Sequence, residues 1–327
     1  MNESINNIRN KIASILKLSK IEEVEKLILK VIAGREITNA EELSSWVEKR
    51  LKPNLVFISK NEYTEACIDA LKMINTVAAT DYGTSRQRDK LQLWADITRG
   101  YLGEICFQKF LLKKFAIQST LEHKQGNVSD FLSSDISMVK NRTDTKYRSP
   151  KKNICIKTTK WNGIWLDIPG NQFSHSDMFV QVKINAGRDH LLGYMNELSI
   201  FKDKILKEGV SIGVLDDNEL ELLSNNLPKF SDISISGYIC GYVLNKKYKK
   251  LSYKGKKGRK NFTIHTWCGP YYDDDIEKIK SKECLDSETS KVKFEGIGQF
   301  SSANRYLFNS GSLLYREEDW RKVLDYI

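Results

Sequence analysis

An α/β fold, a mixed β-sheet flanked by helices, is what this 327-residue sequence predicts, and three observations carry it. Apolar residues recur at helical spacing through roughly the first third of the chain. After His123-Lys124-Gln125-Gly126-Asn127 the period switches from that of a helix to that of a strand. From about Pro228 the composition shifts again, to short apolar runs around a dense basic stretch. Strands and helices mixed in this way read as an α/β core with appended regions. Three regions follow: helices over 1–80, an α/β core over 81–226, and an α+β region over 227–327.

In the first region Ile5, Ile8, Ile12 and Ile15-Leu16 lie at helical spacing, as do Ile21, Val24, Leu27-Ile28 and Ile32. Thr38-Asn39-Ala40-Glu41-Glu42 reads as a helix start leading into Leu43, Trp46 and Leu51, and Pro53 ends it. A further helix is predicted over 63–76, with Ala66, Ala70, Leu71 and Ile74 inward. No pattern of reactive side chains appears here, so bracing or dimerisation is the expected role.

Ser85-Arg86-Gln87-Arg88 then leads into a long amphipathic helix over about 89–115. Leu91, Trp94, Ile97, Tyr101, Ile105 and Gln108 mark one side, with Leu102, Cys106, Phe110 and Lys113 beside them. Glu104 borders that apolar stripe. Gly100 and Gly103 predict the close approach of another backbone, at a cost in helix propensity.

Strands are predicted over 136–139, 153–159, 163–168 and 178–184, with Trp161-Asn162-Gly163 as a tight hairpin turn and Pro169-Gly170-Asn171 closing the third. A helix is predicted over 192–208. Beyond Pro228, strands are predicted over 233–244, 263–268, 292–294 and 306–308, with the basic run as a loop or hairpin tip. Arg316 to the C-terminus reads as a terminal helix. No internal repeat and no low-complexity linker interrupts the chain.

Composition bounds the partners. There are 52 basic and 42 acidic residues, a net charge of +10, which favours a polyanion because neutralised phosphates release counterions. The charge is clustered: nine basic residues and no acid between Lys246 and Lys260, and eight basic residues with one acid, Asp144, between Lys140 and Lys160. No apolar run reaches the roughly 18 residues of a membrane span, and the first residues lack a signal-peptide pattern. The expected partner is not a membrane, and the expected location is the cytoplasm. The cysteines and histidines are dispersed with no CxxC pair, which argues against structural zinc. No GxxxxGK[ST] or Gly-rich dinucleotide fingerprint is present, and no Pro-Pro-Tyr type motif of an amino-methyltransferase.

The chemistry concentrates in Ser134-Asp135-Ile136-Ser137-Met138-Val139 and Ile154-Cys155-Ile156-Lys157-Thr158-Thr159-Lys160. An acid opens one predicted strand and a lysine sits mid-way along the next, where lysine is seldom placed for structural reasons. Alternation puts Cys155, Lys157 and Thr159 on one face and Ile154, Ile156 and Thr158 on the other. Phosphodiester hydrolysis needs such a set: carboxylates and a backbone carbonyl, here Ile156, to hold Mg²⁺, and a lysine to orient water or offset developing charge.

Asp135 followed by x-Ile-Lys157 resembles the PD-(D/E)xK nuclease superfamily, type II restriction endonucleases above all, and the resemblance covers about residues 97–184. Glu104 matches the glutamate that many members carry on the helix before the first catalytic strand. The resemblance implies a restriction-endonuclease-like core, with Asp135, Lys157 and Glu104 catalytic. It also implies Mg²⁺ as cofactor and a homodimer cutting double-stranded DNA at a short specific site. Two positions depart from the family pattern: Ser134 replaces proline, and Cys155 stands where the second carboxylate belongs. Cysteine is a poor ligand for a hard cation. The replacement acid is expected to be Glu104 first and Asp167 second, with Asp177 and Asp130 behind. His175 is a general base by residue type only.

Arg86, Arg88, Arg142, Lys151, Lys152 and Lys160 are candidate DNA contacts around the core. Lys254, Lys256, Lys257 and Arg259 are the candidates in the C-terminal region, where Tyr248 and Tyr253 interleave the charge. Two other readings compete: a DNA-binding protein with a degenerate nuclease core, and a repair or transposition nuclease that acts on DNA structure.

Overall fold

The computed structural model describes residues 5–17, 39–75, 89–121, 134–161, 163, 165–186, 189–230, 234–245, 251–257, 260–267, 293–294, 297–299 and 305–327. Helix α1 (Ile5–Leu16) comes first, followed by α2 (Ala40–Trp46), where the Asn39 side chain accepts from the backbone N–H groups of Glu41 and Glu42. A π-helical turn and a 3₁₀ turn carry the chain past Pro53 into β1 (Leu55–Phe57). Helix α3 (Lys60–Met73) starts with a Ser59/Glu62 capping box, and α4 (Lys90–Phe115) is capped by Asp89. Both caps supply acceptors for otherwise orphaned N–H groups.

Strands β2 (Gln118–Leu121), β3 (Ile136–Lys140), β4 (Ile154–Lys160) and β5 (Trp165–Pro169) follow. A single-turn helix α5 (Gly170–Phe173) leads to β6 (Met178–Asn185) and α6 (His190–Glu197). A π-helical segment (Phe201–Leu206), α7 (Lys207–Ser211) and α8 (Asp217–Asn226) precede β7 (Ser236–Leu244). The chain then forms β8 (Leu251–Lys257), β9 (Lys260–Trp267), β10 (Lys293–Phe294), β11 (Ile297–Gln299), β12 (Arg305–Asn309) and α9 (Glu317–Arg321).

The central sheet is mixed, in the order β1-β7-β6-β4. Strands β4 and β6 are parallel, with Lys157 opposite Gln181, whereas β6/β7 and β7/β1 are antiparallel. A bulge at Gln181/Val182 falls beside Gly241, whose φ of +133° and close approach to the Leu314 carbonyl exclude a side chain. A second four-stranded sheet runs β5-β12-β9-β8, and β2 pairs with β3. The central sheet thus draws one strand from region 1–80, two from region 81–226 and one from region 227–327.

Each face of the central sheet carries its own core. Ile154, Ile156, Val180, Val182 and Ile239 pack under α3 and α4, with Phe107, Phe110 and Trp320 completing that layer. On the other face Cys155, Phe179, Tyr238 and Cys240 meet Ile8, Ile12 and Trp46 of the N-terminal helices and Leu166, Ile168 and Phe308 of the second sheet. Arg50 is buried and donates to the carbonyls of Cys240, Ser310 and Gly311, tying the N-terminal helices to β7 and to the turn after β12. Bracing is therefore a role these helices perform.

Several sequence expectations need correction. The turn at Gly163 forms, its N–H donating to the Lys160 carbonyl at 2.9 Å, but β4 and β5 are not a hairpin: β5 leaves to pair with β12, where Leu166 and Ile168 find a second core. The buried stripe of α3 is Tyr63, Ala66, Cys67 and Ala70, which leaves Leu71 off its centre and exposed; Leu91, in the first turn of α4, is exposed too. The part of the basic run over 251–257 is a strand, and its tip at 258–259 lies outside the described residues. The terminal helix shortens to α9 plus a 3₁₀ turn at Leu324–Tyr326. Among the described residues no helix is long and apolar enough to cross a membrane.

Candidate active site

Asp135 sits just before β3 and is held against the edge of β4 from two sides. Its backbone N–H donates to the Ile154 carbonyl at 2.8 Å, and its Oδ2 accepts the Ile156 N–H at 2.5 Å. Ser134 reinforces this junction: its Oγ accepts the Ile154 N–H at 3.1 Å and donates to the Ile136 carbonyl at 2.9 Å. In a strand, each residue turns its N–H and C=O to the same side. Ile154 and Ile156 therefore turn theirs toward Asp135, and Cys155 and Lys157 turn theirs toward β6. The Ile156 carbonyl opens on the edge that the Asp135 carboxylate occupies.

Lys157 is next along the strand, its side chain on the Cys155 face, where its ammonium donates to Gln172 Oε1 of α5. Burial works against its charge. The fields of Cys155, Asp135 and Glu104 more than offset that, so its pKa lies above the ordinary lysine value. Burial also pushes the Cys155 thiol up to about 11, against the opposing pull of Lys157. At neutral pH the thiol is thus protonated, and the fields that then act on the ammonium are those of Asp135 and, more weakly, Glu104.

Glu104 lies on α4, which packs against the opposite face of the sheet. Its helix is pressed onto β4: the Thr158 Oγ1 donates to the Gly100 carbonyl at 3.2 Å, and a Cβ on Gly103 would fall 1.9 Å from that oxygen. The predicted close approach is realised at Gly103, against the Thr158 side chain; at Gly100 a Cβ would meet nothing within 4 Å, so its contact with Thr158 through the carbonyl does not require glycine. Glu104 thus acts on the Lys157 ammonium through its field, from the helix that covers the other face of β4.

Asp167 stands apart from that grouping by register. It lies on β5 opposite Leu307, and since Leu166 and Ile168 fill the second core, alternation turns Asp167 to the other face. Asp177 is occupied structurally, with Oδ2 accepting the Asn153 N–H at 3.0 Å and Oδ1 lying 3.7 Å from Lys152 Nζ. His175 is exposed and contributes its backbone to the α5 turn. Asp130 lies outside the described residues.

Of the basic candidates, Arg142, Lys151, Lys152 and Lys160 are exposed around β4, the first three on the β3–β4 connection and Lys160 at the strand's far end. Lys254, Lys256 and Lys257 lie on β8, opposite Thr263, Asn261 and Lys260. Arg86, Arg88 and Arg259 are outside the described residues. Gln172 was not foreseen. Its only signal was Pro169-Gly170-Asn171, which reads as a strand end and hides the single turn that brings Gln172 to the lysine.

Among the described residues no group of three or more His, Cys, Asp or Glu is arranged to hold a metal. The oxygens present suit a narrower role. Mg²⁺ is commonly held by one or two carboxylates, the rest of its shell being water and substrate phosphate. Asp135 with the Ile156 carbonyl fits that description, whereas the buried neutral Cys155 does not. No family model, no curated protein and no solved structure matches the chain.

Proposed function

We propose that this protein is a Mg²⁺-dependent endonuclease of the type II restriction class. It would hydrolyse phosphodiesters in double-stranded DNA at a short specific sequence and act as a homodimer. The observation that carries this reading is Asp135 locked to the edge of β4 by the Ile156 N–H, with Lys157 the next residue along that strand. Asp135, the Ile156 carbonyl and Glu104 would hold Mg²⁺, which when bound polarises the phosphate and lowers the pKa of water. Lys157 would orient the attacking water or balance the charge that develops on the phosphate oxygens, with Gln172 fixing its position. Arg142, Lys151, Lys152 and Lys160 would track the backbone flanking the cut, and the β8 lysines would supply further contacts.

Digestion of unmethylated phage DNA with Mg²⁺ and with EDTA tests the reading. Discrete fragments only with Mg²⁺, lost in Lys157→Ala and Asp135→Asn while DNA binding persists, are expected. A second reading rests on the buried neutral Cys155: a DNA-binding protein whose nuclease core no longer cuts. Salt-sensitive binding with no Mg²⁺-dependent cleavage of any substrate would establish it instead.

A further inference from the structure

We propose that one face of the β8–β9 ribbon reads base edges in the major groove of duplex DNA, with Lys254, Lys256, Asn261 and Thr263 setting the sequence that is read. The two strands are antiparallel, and residues opposite each other share a face. Ser252 lies opposite His265, Lys254 opposite Thr263 and Lys256 opposite Asn261, so these six residues occupy one face. Leu251, Tyr253, Phe262 and Ile264 fall on the other. Between Leu251 and Trp267 the sequence holds five Lys or Arg residues and no Asp or Glu, which suits a polyanion.

The place of that face in the second sheet separates it from an ordinary strand surface. On parallel β12, Tyr306 lies opposite His265 and Phe308 opposite Trp267, and β12 in turn sets Tyr306 opposite Ile168 and Phe308 opposite Leu166 of β5. Tyr306, Phe308, Leu166 and Ile168 belong to the second core. One side of the sheet is therefore apolar over β5 and β12 and turns polar along β9 and β8, where the core ends. Lysine on an edge strand guards against pairing with another chain, which would account for Lys254 and Lys256, since β8 is an edge. It does not account for β9, an interior strand between β12 and β8 that sets an amide and a hydroxyl residue in register with those lysines. These residue types are the ones that read bases: lysine takes guanine O6 and N7, asparagine takes adenine N6 and N7, and threonine takes a base edge or the thymine methyl. A two-stranded ribbon fits the major groove. The rows Lys254/Thr263 and Lys256/Asn261 are about 7 Å apart, roughly two base-pair steps of a duplex.

This inference rests on the reading of the protein as one that binds duplex DNA, and it holds whether or not the core cuts. The test is selection from a random-sequence duplex library by the full chain, with Mg²⁺ and in the Lys157→Ala background so that no duplex is cut. Affinities for the selected and for unrelated duplexes are then compared. The parent is expected to enrich a short site. Asn261→Ala, Thr263→Ala and Lys256→Ala should each lose about tenfold or more of that preference at neighbouring base pairs. Asn261→Ala should keep its affinity for unrelated duplexes, which a misfolded ribbon would lose. Lys257→Ala, on the other face, should weaken binding to every sequence alike and select the same site. A parent that binds DNA without preference, or face variants that select the parent's site with uniformly weaker binding, would overturn base reading and leave the ribbon a phosphate clamp. A parent that binds no duplex at all would overturn the DNA-binding reading itself, and this inference with it.

Discussion

Replacing Gly103 by alanine separates two effects that point in opposite directions. Helix propensity alone predicts that Gly103→Ala stabilises the interior of α4 by about 1 kcal/mol. The packing predicts the reverse. The new Cβ would lie 1.9 Å from Thr158 Oγ1 and 2.9 Å from both Thr158 Cβ and Cγ2, so no rotation of the threonine clears it. Relief requires α4 and β4 to part, and forced overpacking of this kind costs about 1–3 kcal/mol. The Thr158–Gly100 hydrogen bond is lost as well, worth about 1 kcal/mol. The net expectation is a destabilisation of about 1–3 kcal/mol, read as a lower urea midpoint at unchanged slope. Thr158→Ala in the same background should recover part of it. A Gly103→Ala protein as stable as wild type, or more so, would refute the close approach of α4 to β4.

Other outcomes follow from the same geometry. Gln172→Ala should lower the cleavage rate and leave DNA affinity unchanged, because the Gln172 amide accepts from the Lys157 ammonium; parallel loss of binding would remove its positioning role. Glu104→Ala should abolish Mg²⁺-dependent cleavage and Asp167→Ala should not, measured on the same DNA at several Mg²⁺ concentrations; the opposite order would move the replacement acid to β5. His190 is buried, bonded at Nδ1 to Tyr63 Oη at 2.6 Å, and burial lowers its pKa from 6.5 to about 4. The unfolded chain therefore binds this proton more readily, and stability falls as pH drops from 6.5 toward 4. The loss between pH 7 and 5 is about 2 kcal/mol from this group, measurable by urea unfolding and absent in His190→Gln.

What the sequence revealed and what it hid divide along a physical line. Local signals were legible: Asn39 as a cap, the long helix ending at Phe115, the period-two runs that became β3, β4, β6 and β7. The faces of β4 followed from alternation, and Gly103 marked the turn of α4 that meets it, whereas Gly100 did not. Pairing was not legible, since a strand's period fixes its faces and says nothing about its partner. Strand β5 joins β12 across more than 130 residues of intervening chain, and β1, three residues long inside a helical region, becomes the edge of the central sheet. Gln172 stayed hidden because a polar residue on a single turn has no periodic signature.

On the proposed nuclease reading, Cys155 requires the second acid to come from elsewhere, and it yields the sharpest remaining test. Its side chain faces the core that holds Phe179, Leu166 and Ile168, and it is hydrogen-bonded by Lys157 and Ser176. A carboxylate there pays a burial penalty of several kcal/mol, which a single ammonium offsets only in part. Glu104 approaches from the opposite face of the sheet and is only half-buried, so it supplies negative charge without that penalty. Cys155→Asp should therefore fold with lower stability than wild type. Cys155→Asn, of the same shape without the charge, separates the cost of the carboxylate from that of its bulk. In the Glu104→Ala background, Cys155→Asp should return Mg²⁺-dependent cleavage and Cys155→Asn should not. If the aspartate fails to return it in a protein that still folds and binds DNA, this edge of β4 is not where the metal is held.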